Sequence, residues 1–141
     1  MPFPGVLRLI LAVPLVLMTL LAPVQAQSRD DAIRDTIGRQ FDAFRADDFA
    51  GAFEFASPNI QGIFGSADNF GAMVRNGYPM VWRPGSVQYL DLREEDGRLK
   101  QRVEIEDASG TVHYLDYEMI ETEDGWKING VAVVKQPGVS A

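Results

Sequence analysis

The sequence predicts an α+β domain in which N-terminal helices pack against a curved, antiparallel, four-stranded meander. Two observations lead to this fold class. Between Ile33 and Phe64 apolar residues recur at helical spacing, whereas four extended runs separated by short turns fill the region after residue 85. A chain that places its helices first and its strands afterwards is typical of helices gathered on one face of a sheet.

The helical half contains several apolar stripes. Ile33, Ile37, Phe41 and Phe44 recur every three or four residues and predict one buried face on a helix over 29–46. Asp47 is expected to cap a second helix over 48–56, and Ser57 followed by Pro58 predicts a third start. A further helix over 67–76 would follow Ser66 and end at a left-handed Gly77. The stripes expected on these later helices are Phe49, Ala52, Phe53 and Ala56; Ile60, Ile63 and Phe64; and Phe70, Met73 and Val74.

The second half has the pattern of a meander. Extended runs are predicted over 86–94, 98–107, 111–122 and 126–134, and each of the three connections ends in glycine: Asp96-Gly97, Ser109-Gly110 and Asp124-Gly125. Residues 78–85 contain two prolines, which predict an irregular or edge segment. Asn129-Gly130 interrupts the last run and predicts a bulge.

The N-terminal segment has the features of a cleaved secretory signal. An uncharged run over 9–21 ends at small residues, so we expect cleavage after Ala26, and the run is too short to favour the alternative of a membrane anchor. The predicted organisation is a signal peptide over 1–26, one domain over 27–136 and a frayed tail over 137–141. We therefore expect a periplasmic or secreted protein.

The processed chain has 115 residues, of which 12 are basic and 20 acidic, a net charge of −8. Nucleic acids and anionic membrane surfaces bind clustered Lys and Arg, so this balance argues against both as partners. No cysteine is present, and a protein of the oxidising compartment would therefore carry no disulfide.

Several motifs resemble an uncharacterised bacterial family, domain of unknown function 4864. They are Ala43-Phe44-Arg45-Ala46-Asp47-Asp48, Phe55-Ala56-Ser57-Pro58, Met73-Val74-Arg75, Tyr78-Pro79, Arg83-Pro84 and Trp126-Lys127-Ile128-Asn129-Gly130. The resemblance implies a fold of the nuclear-transport-factor-2-like, cystatin-like group, in which a curved sheet and helices enclose a cone. It transfers no activity, because folds of this kind host enzymes, binding proteins and assembly modules.

Five residues are candidates for binding a ligand: Trp82, Arg83, Gln101, His113 and Tyr117. Gln101 lies on an otherwise apolar strand face, where its amide either bonds within the core or orients a ligand. His113 and Tyr117 share a predicted strand face, and each is either a pocket residue or an ordinary structural one. Trp82 and Arg83 lie where the helices give way to the sheet, so they either line the pocket or close the core.

These residues predict a protein that binds a small, partly apolar molecule between helices and sheet. One alternative is a pocket enzyme of isomerase or dehydratase type, which needs His113 or a carboxylate beside Tyr117. The other is a homodimer formed through outer sheet residues, namely Tyr114, Ile120, Val131 or Val133. The sequence has no metal-site spacing, phosphate loop or nucleophile motif, so we assign no catalytic residue, metal or cofactor.

Overall fold

The computed structural model describes residues 5, 11–16 and 24–135. Most of the predicted signal peptide and all of the predicted tail lie outside these residues. Within the described ranges, no helix is both long enough and apolar enough to cross a membrane.

Five helices precede the sheet. They are α1 (Val24–Arg45), α2 (Phe49–Glu54), α3 (Pro58–Phe64), α4 (Ala67–Gly77) and α5 (Pro79–Trp82). The first stripe is confirmed, because Ile33, Ile37, Phe41 and Phe44 are all buried. Ser57 caps α3 as predicted, accepting a hydrogen bond from the Ile60 amide at 3.2 Å.

Four local predictions about the helices are wrong in detail. Asp48, not Asp47, caps α2 through the Gly51 amide, and Asp47 adopts a left-handed conformation with φ of 54°. The segment predicted to be irregular contains α5, which begins at Pro79 because proline suits the first turn of a helix. Gly77 is still helical, and Tyr78, with φ of −134° and ψ of 57°, caps the end of α4. Ile63 points outward and is 65% exposed.

The sheet is the predicted antiparallel meander. Strands β1 (Pro84–Glu95), β2 (Arg98–Asp107), β3 (Val112–Thr122) and β4 (Gly125–Val133) lie in the order β1-β2-β3-β4. The three turn glycines have φ between 75° and 98°, a conformation that residues with a Cβ rarely adopt. The bulge in β4 is confirmed, since Glu118 pairs with Gly130 and the adjacent Met119 with Ile128.

The helices cover one face of the sheet. Helix α1 contacts both edge strands, and its buried stripe packs on inward side chains of β2, β3 and β4, namely Val103, Ile105, Leu115, Tyr117, Met119 and Ile128. The connection between α2 and α3 also bonds to β4, with Ser57 N donating to Ile128 O and Ile128 N to Phe55 O, both at 2.8 Å. The helical layer is therefore hydrogen-bonded to one edge of the sheet.

Candidate functional site

Gln101 and Tyr117 lie directly opposite each other on β2 and β3, on the inner face of the sheet. Both are fully buried. The Gln101 amide nitrogen donates to the carbonyls of Leu90 at 3.0 Å and Arg102 at 2.9 Å, with a longer contact of 3.4 Å to Asp91. Leu90 and Asp91 together oppose Arg102 where β1 shifts register against β2, so Gln101 donates to carbonyls of a bulge.

Two buried oxygens at this position have no partner among the described residues. They are Oε1 of Gln101 and the hydroxyl of Tyr117. Burial, reinforced by the nearby Tyr89, raises the pKa of Tyr117 far above its usual range, so the phenol stays neutral. Among the described residues, no carboxylate or histidine is hydrogen-bonded to the Tyr117 hydroxyl.

Trp82 and Arg83 form a compact polar cluster with Asp47. Arg83 donates to Asp47 at 2.8 Å and to the carbonyl of Phe44 at 2.7 Å, and the Trp82 indole donates to the same Asp47 oxygen at 3.0 Å. The guanidinium carbon lies 4.1 Å from the centre of the Trp82 ring. The bonds from Arg83 and Trp82 lower the pKa of Asp47. This cluster links the end of α1 to the start of the sheet, and the Arg83 guanidinium is hydrogen-bonded to groups of the chain itself.

His113 has a charged partner that the sequence did not reveal. Its Nε2 lies 2.8 Å from Asp107 across the β2–β3 turn. The other oxygen of Asp107 accepts from the hydroxyl of Ser109 at 2.6 Å and from the amides of Ser109 and Thr111. Bonds from Ser109, and then from His113, hold the pKa of Asp107 far below its usual range. Asp107 thus accepts the hydrogen bonds that hold the turn together, and His113 makes a further contact with the Asp107 carboxylate.

The structure does not bring the five predicted residues together. Gln101 and Tyr117 are neighbours inside the sheet–helix interface. Arg83 and His113 both line a shallow surface groove of about 250 Å³ beside Pro79 and Met80. The two sets do not share a cavity, because neither buried residue lines this groove.

An apolar cavity of about 200 Å³ lies elsewhere between the helices and β4. None of the five predicted residues lines it. Its walls are the apolar side chains of Phe44, Ile60, Phe64, Phe70, Met73, Val74, Val81, Ile128 and Val131, together with the small residues Ala56 and Gly130 and the polar residues Gln40 and Tyr78. Gln40 is only 4% exposed. A glutamine four residues before Phe44 and three after Ile37 was the sequence signal for this site.

Two other features are open to solvent. A polar groove of about 770 Å³ runs past Arg29, Arg98, Glu118 and Trp126, and it would leave a bound molecule largely hydrated. The turns at residues 94–96 and 121–124 are acidic and largely exposed. Among the described residues, no three His, Cys, Asp or Glu side chains lie close enough together to hold a metal ion.

An ion-pair network crosses the outer face of the sheet. Asp116 accepts from Arg102 at 2.9 and 3.1 Å and from Arg93 at 2.8 and 3.2 Å. Burial by itself would raise the pKa of Asp116, but the guanidinium groups of Arg102 and Arg93 outweigh it and hold the pKa at about 2. The dimer alternative needs an apolar outer face on the sheet, and this ion-pair network makes part of that face charged.

Residues 26–141 match the protein family described as Domain of unknown function (DUF4864). The match covers most of the chain and agrees with the family resemblance of the motifs. Comparisons with curated proteins and with solved structures found no match. The nuclear-transport-factor-2-like grouping therefore stays a prediction, while the α+β fold with an open antiparallel meander is confirmed.

Proposed function

Because the chain belongs to the family Domain of unknown function (DUF4864), whose description assigns no activity, we propose a function from the cavity itself. The protein binds a small, largely apolar molecule between its helices and β4. The partly open, apolar cavity of about 200 Å³ is the observation that carries this proposal. Small-molecule sites are typically concave, mostly apolar and equipped with a few polar groups.

The cavity volume sets the size of the ligand. An engineered apolar cavity of about 150 Å³ stays dry and binds benzene, so this cavity suits a single aromatic ring with one or two substituents or a short acyl chain. We expect dissociation constants of roughly 10 µM to 1 mM, or about −7 to −4 kcal/mol. For a ligand of about eight heavy atoms this is about −0.9 to −0.5 kcal/mol per atom, which lies within the usual range of ligand efficiency.

A toluene titration followed by amide NMR tests the proposal. In the purified protein we expect saturable shifts around Phe70, Val74 and Val131, three residues of the cavity wall. Val131→Phe should fill the space and abolish binding. The matched control is Val112→Phe, since Val112 is 46% exposed and lies outside the cavity.

Two outcomes would count against the cavity. Toluene shifts that scatter over the surface without saturating would show that the cavity does not take the probe. Equal toluene affinity in Val131→Phe and the wild type would place the bound probe elsewhere. Thermal unfolding of both variants checks that the added ring has not disrupted the core.

We also propose that the protein acts after export, as the charge-free run and small residues before Gln27 suggest. Fractionation of bacteria that express the full chain tests this. Recovery from the periplasm of a product that begins at Gln27 supports it. A full-length product confined to the cytoplasm contradicts it.

The two alternatives have less support. Catalysis at Tyr117 required His113 or a carboxylate beside its hydroxyl, yet His113 bonds to Asp107 and lies four residues away on the same strand, about 13 Å. Two of the residues proposed for the dimer surface, Val131 and Val133, lie on the inner face of the sheet, because they pair with the inward Tyr117 and Leu115. Val131 lines the cavity instead.

A further inference from the structure

Gln40, which lines the cavity, carries an unused hydrogen-bond acceptor. Its Nε2 donates to the carbonyl oxygen of Ala52 at 3.1 Å. A carbonyl only accepts, so this bond fixes which end of the amide is nitrogen and which is oxygen. The side chain lines the cavity, and within the described part of the chain its Oε1 accepts no hydrogen bond.

The rest of the lining carries no formal charge. Among the residues that the structure describes, every side chain around the cavity is apolar except those of Gln40 and Tyr78. The Tyr78 hydroxyl donates a hydrogen bond to the Val131 carbonyl, 3.4 Å away. An ionised ligand would therefore lose its hydration without gaining a counter-ion, which is among the most costly events in a protein interior.

We propose that this cavity selects neutral ligands with one hydroxyl or N–H donor, which the Oε1 of Gln40 accepts. The inference rests on the proposed function and adds the chemical class of the ligand. A hydrocarbon of the same size leaves the Gln40 oxygen unpaired, and a carboxylate brings a charge that nothing in the lining neutralises. A phenol or a small alcohol satisfies both requirements.

Three probes of similar size separate these properties. Toluene offers only apolar surface, p-cresol adds one neutral hydroxyl, and benzoate carries a charge at pH 7. An unpaired hydroxyl in an apolar site is expected to cost about 5- to 150-fold in affinity. Because Gln40 pairs it, p-cresol should bind the wild-type protein at least as tightly as toluene, and benzoate should show no saturable binding.

The Gln40→Met variant tests the role of the side chain directly. Methionine keeps the length and the apolar stem but removes the acceptor. We expect p-cresol to bind about fivefold or more weakly in the variant and toluene to change less than twofold. Gln61→Met is the matched control, because Gln61 also bonds a helix carbonyl, at 3.0 Å to Phe53, but does not line the cavity.

The outcomes distinguish the inference from the function beneath it. Wild-type binding of toluene with p-cresol at least fivefold weaker, or with benzoate as tight, overturns the inference and leaves the binding function standing. An unchanged ratio of p-cresol to toluene in Gln40→Met also overturns it. Failure of toluene to bind overturns the proposed function. The wild-type comparison remains decisive if the variant does not fold.

Discussion

Asp116 should make the protein lose stability as the pH falls through the acid range. Its carboxylate accepts four hydrogen bonds from two arginines and its side chain is only 12% exposed. The folded pKa is about 2, against an ordinary value of 3.8. That difference corresponds to about 2 kcal/mol, with a modest discount for solvent screening.

The direction follows from the lowered pKa. A carboxyl whose pKa is lower in the folded protein contributes its full stabilisation above the unfolded value. That contribution is lost as the pH falls from about 4 to about 2, because the unfolded chain then binds the proton first. Asp107, with its pKa also lowered, acts in the same direction, so the effect of Asp116 must be isolated by difference.

Urea unfolding of the wild type and Asp116→Asn between pH 7 and pH 2 isolates it. We expect the stability gap between the two proteins to shrink by about 2 kcal/mol from pH 5 to pH 2. Glu123→Gln is the control, since Glu123 is exposed in the β3–β4 turn and should show a gap near zero throughout. A gap of constant size across the range would refute the assigned role of the two arginines.

Two further predictions concern residues that the sequence suggested for ligand binding. Arg83→Lys should lower the free energy of unfolding by about 1 kcal/mol, because an ammonium cannot reach Asp47 and the Phe44 carbonyl while stacking on the indole. Arg98→Lys, at an exposed single pair, should cost less than about 0.5 kcal/mol, and equal losses would contradict the cluster. Gln101→Leu should cost about 2 kcal/mol through the unpaired bulge carbonyls, whereas Tyr117→Phe should change stability by less than about 0.5 kcal/mol, since its hydroxyl has no partner to lose. Urea denaturation measures these losses of stability. A larger loss for Tyr117→Phe than for Gln101→Leu would show that the phenol is bonded to a water.

Local patterns predicted the elements of this fold well. The stripe from Ile33 to Phe44 and the glycine turns depend on spacing and backbone conformation, which neighbouring residues determine. Neighbouring residues do not determine whether Asp47 or Asp48 caps α2. Either carboxylate suits the position, and Asp47 is diverted by Trp82 and Arg83, which lie more than thirty residues away along the chain.

The candidate site was harder to predict for a related reason. A cavity is the volume that remains when side chains from several elements fail to meet, and no single stretch of sequence encodes it. The stripe placed Phe44 in the core correctly, but not the gap beside it. The sequence could have predicted the partner of His113, because pairing across the predicted turn places Asp107 at the opposite strand end.

The bonds between the α2–α3 connection and Ile128 also bear on how the protein avoids aggregation. An exposed sheet edge is a template on which a second chain can add a strand. On β4 the chain itself occupies that template at Ile128. On β1 the opposite edge begins with Pro84 and is interrupted by the register shift between Tyr89 and Leu92. Neither edge offers a long, regular ladder, so a chain without disulfides still discourages strand-by-strand association of its folded copies.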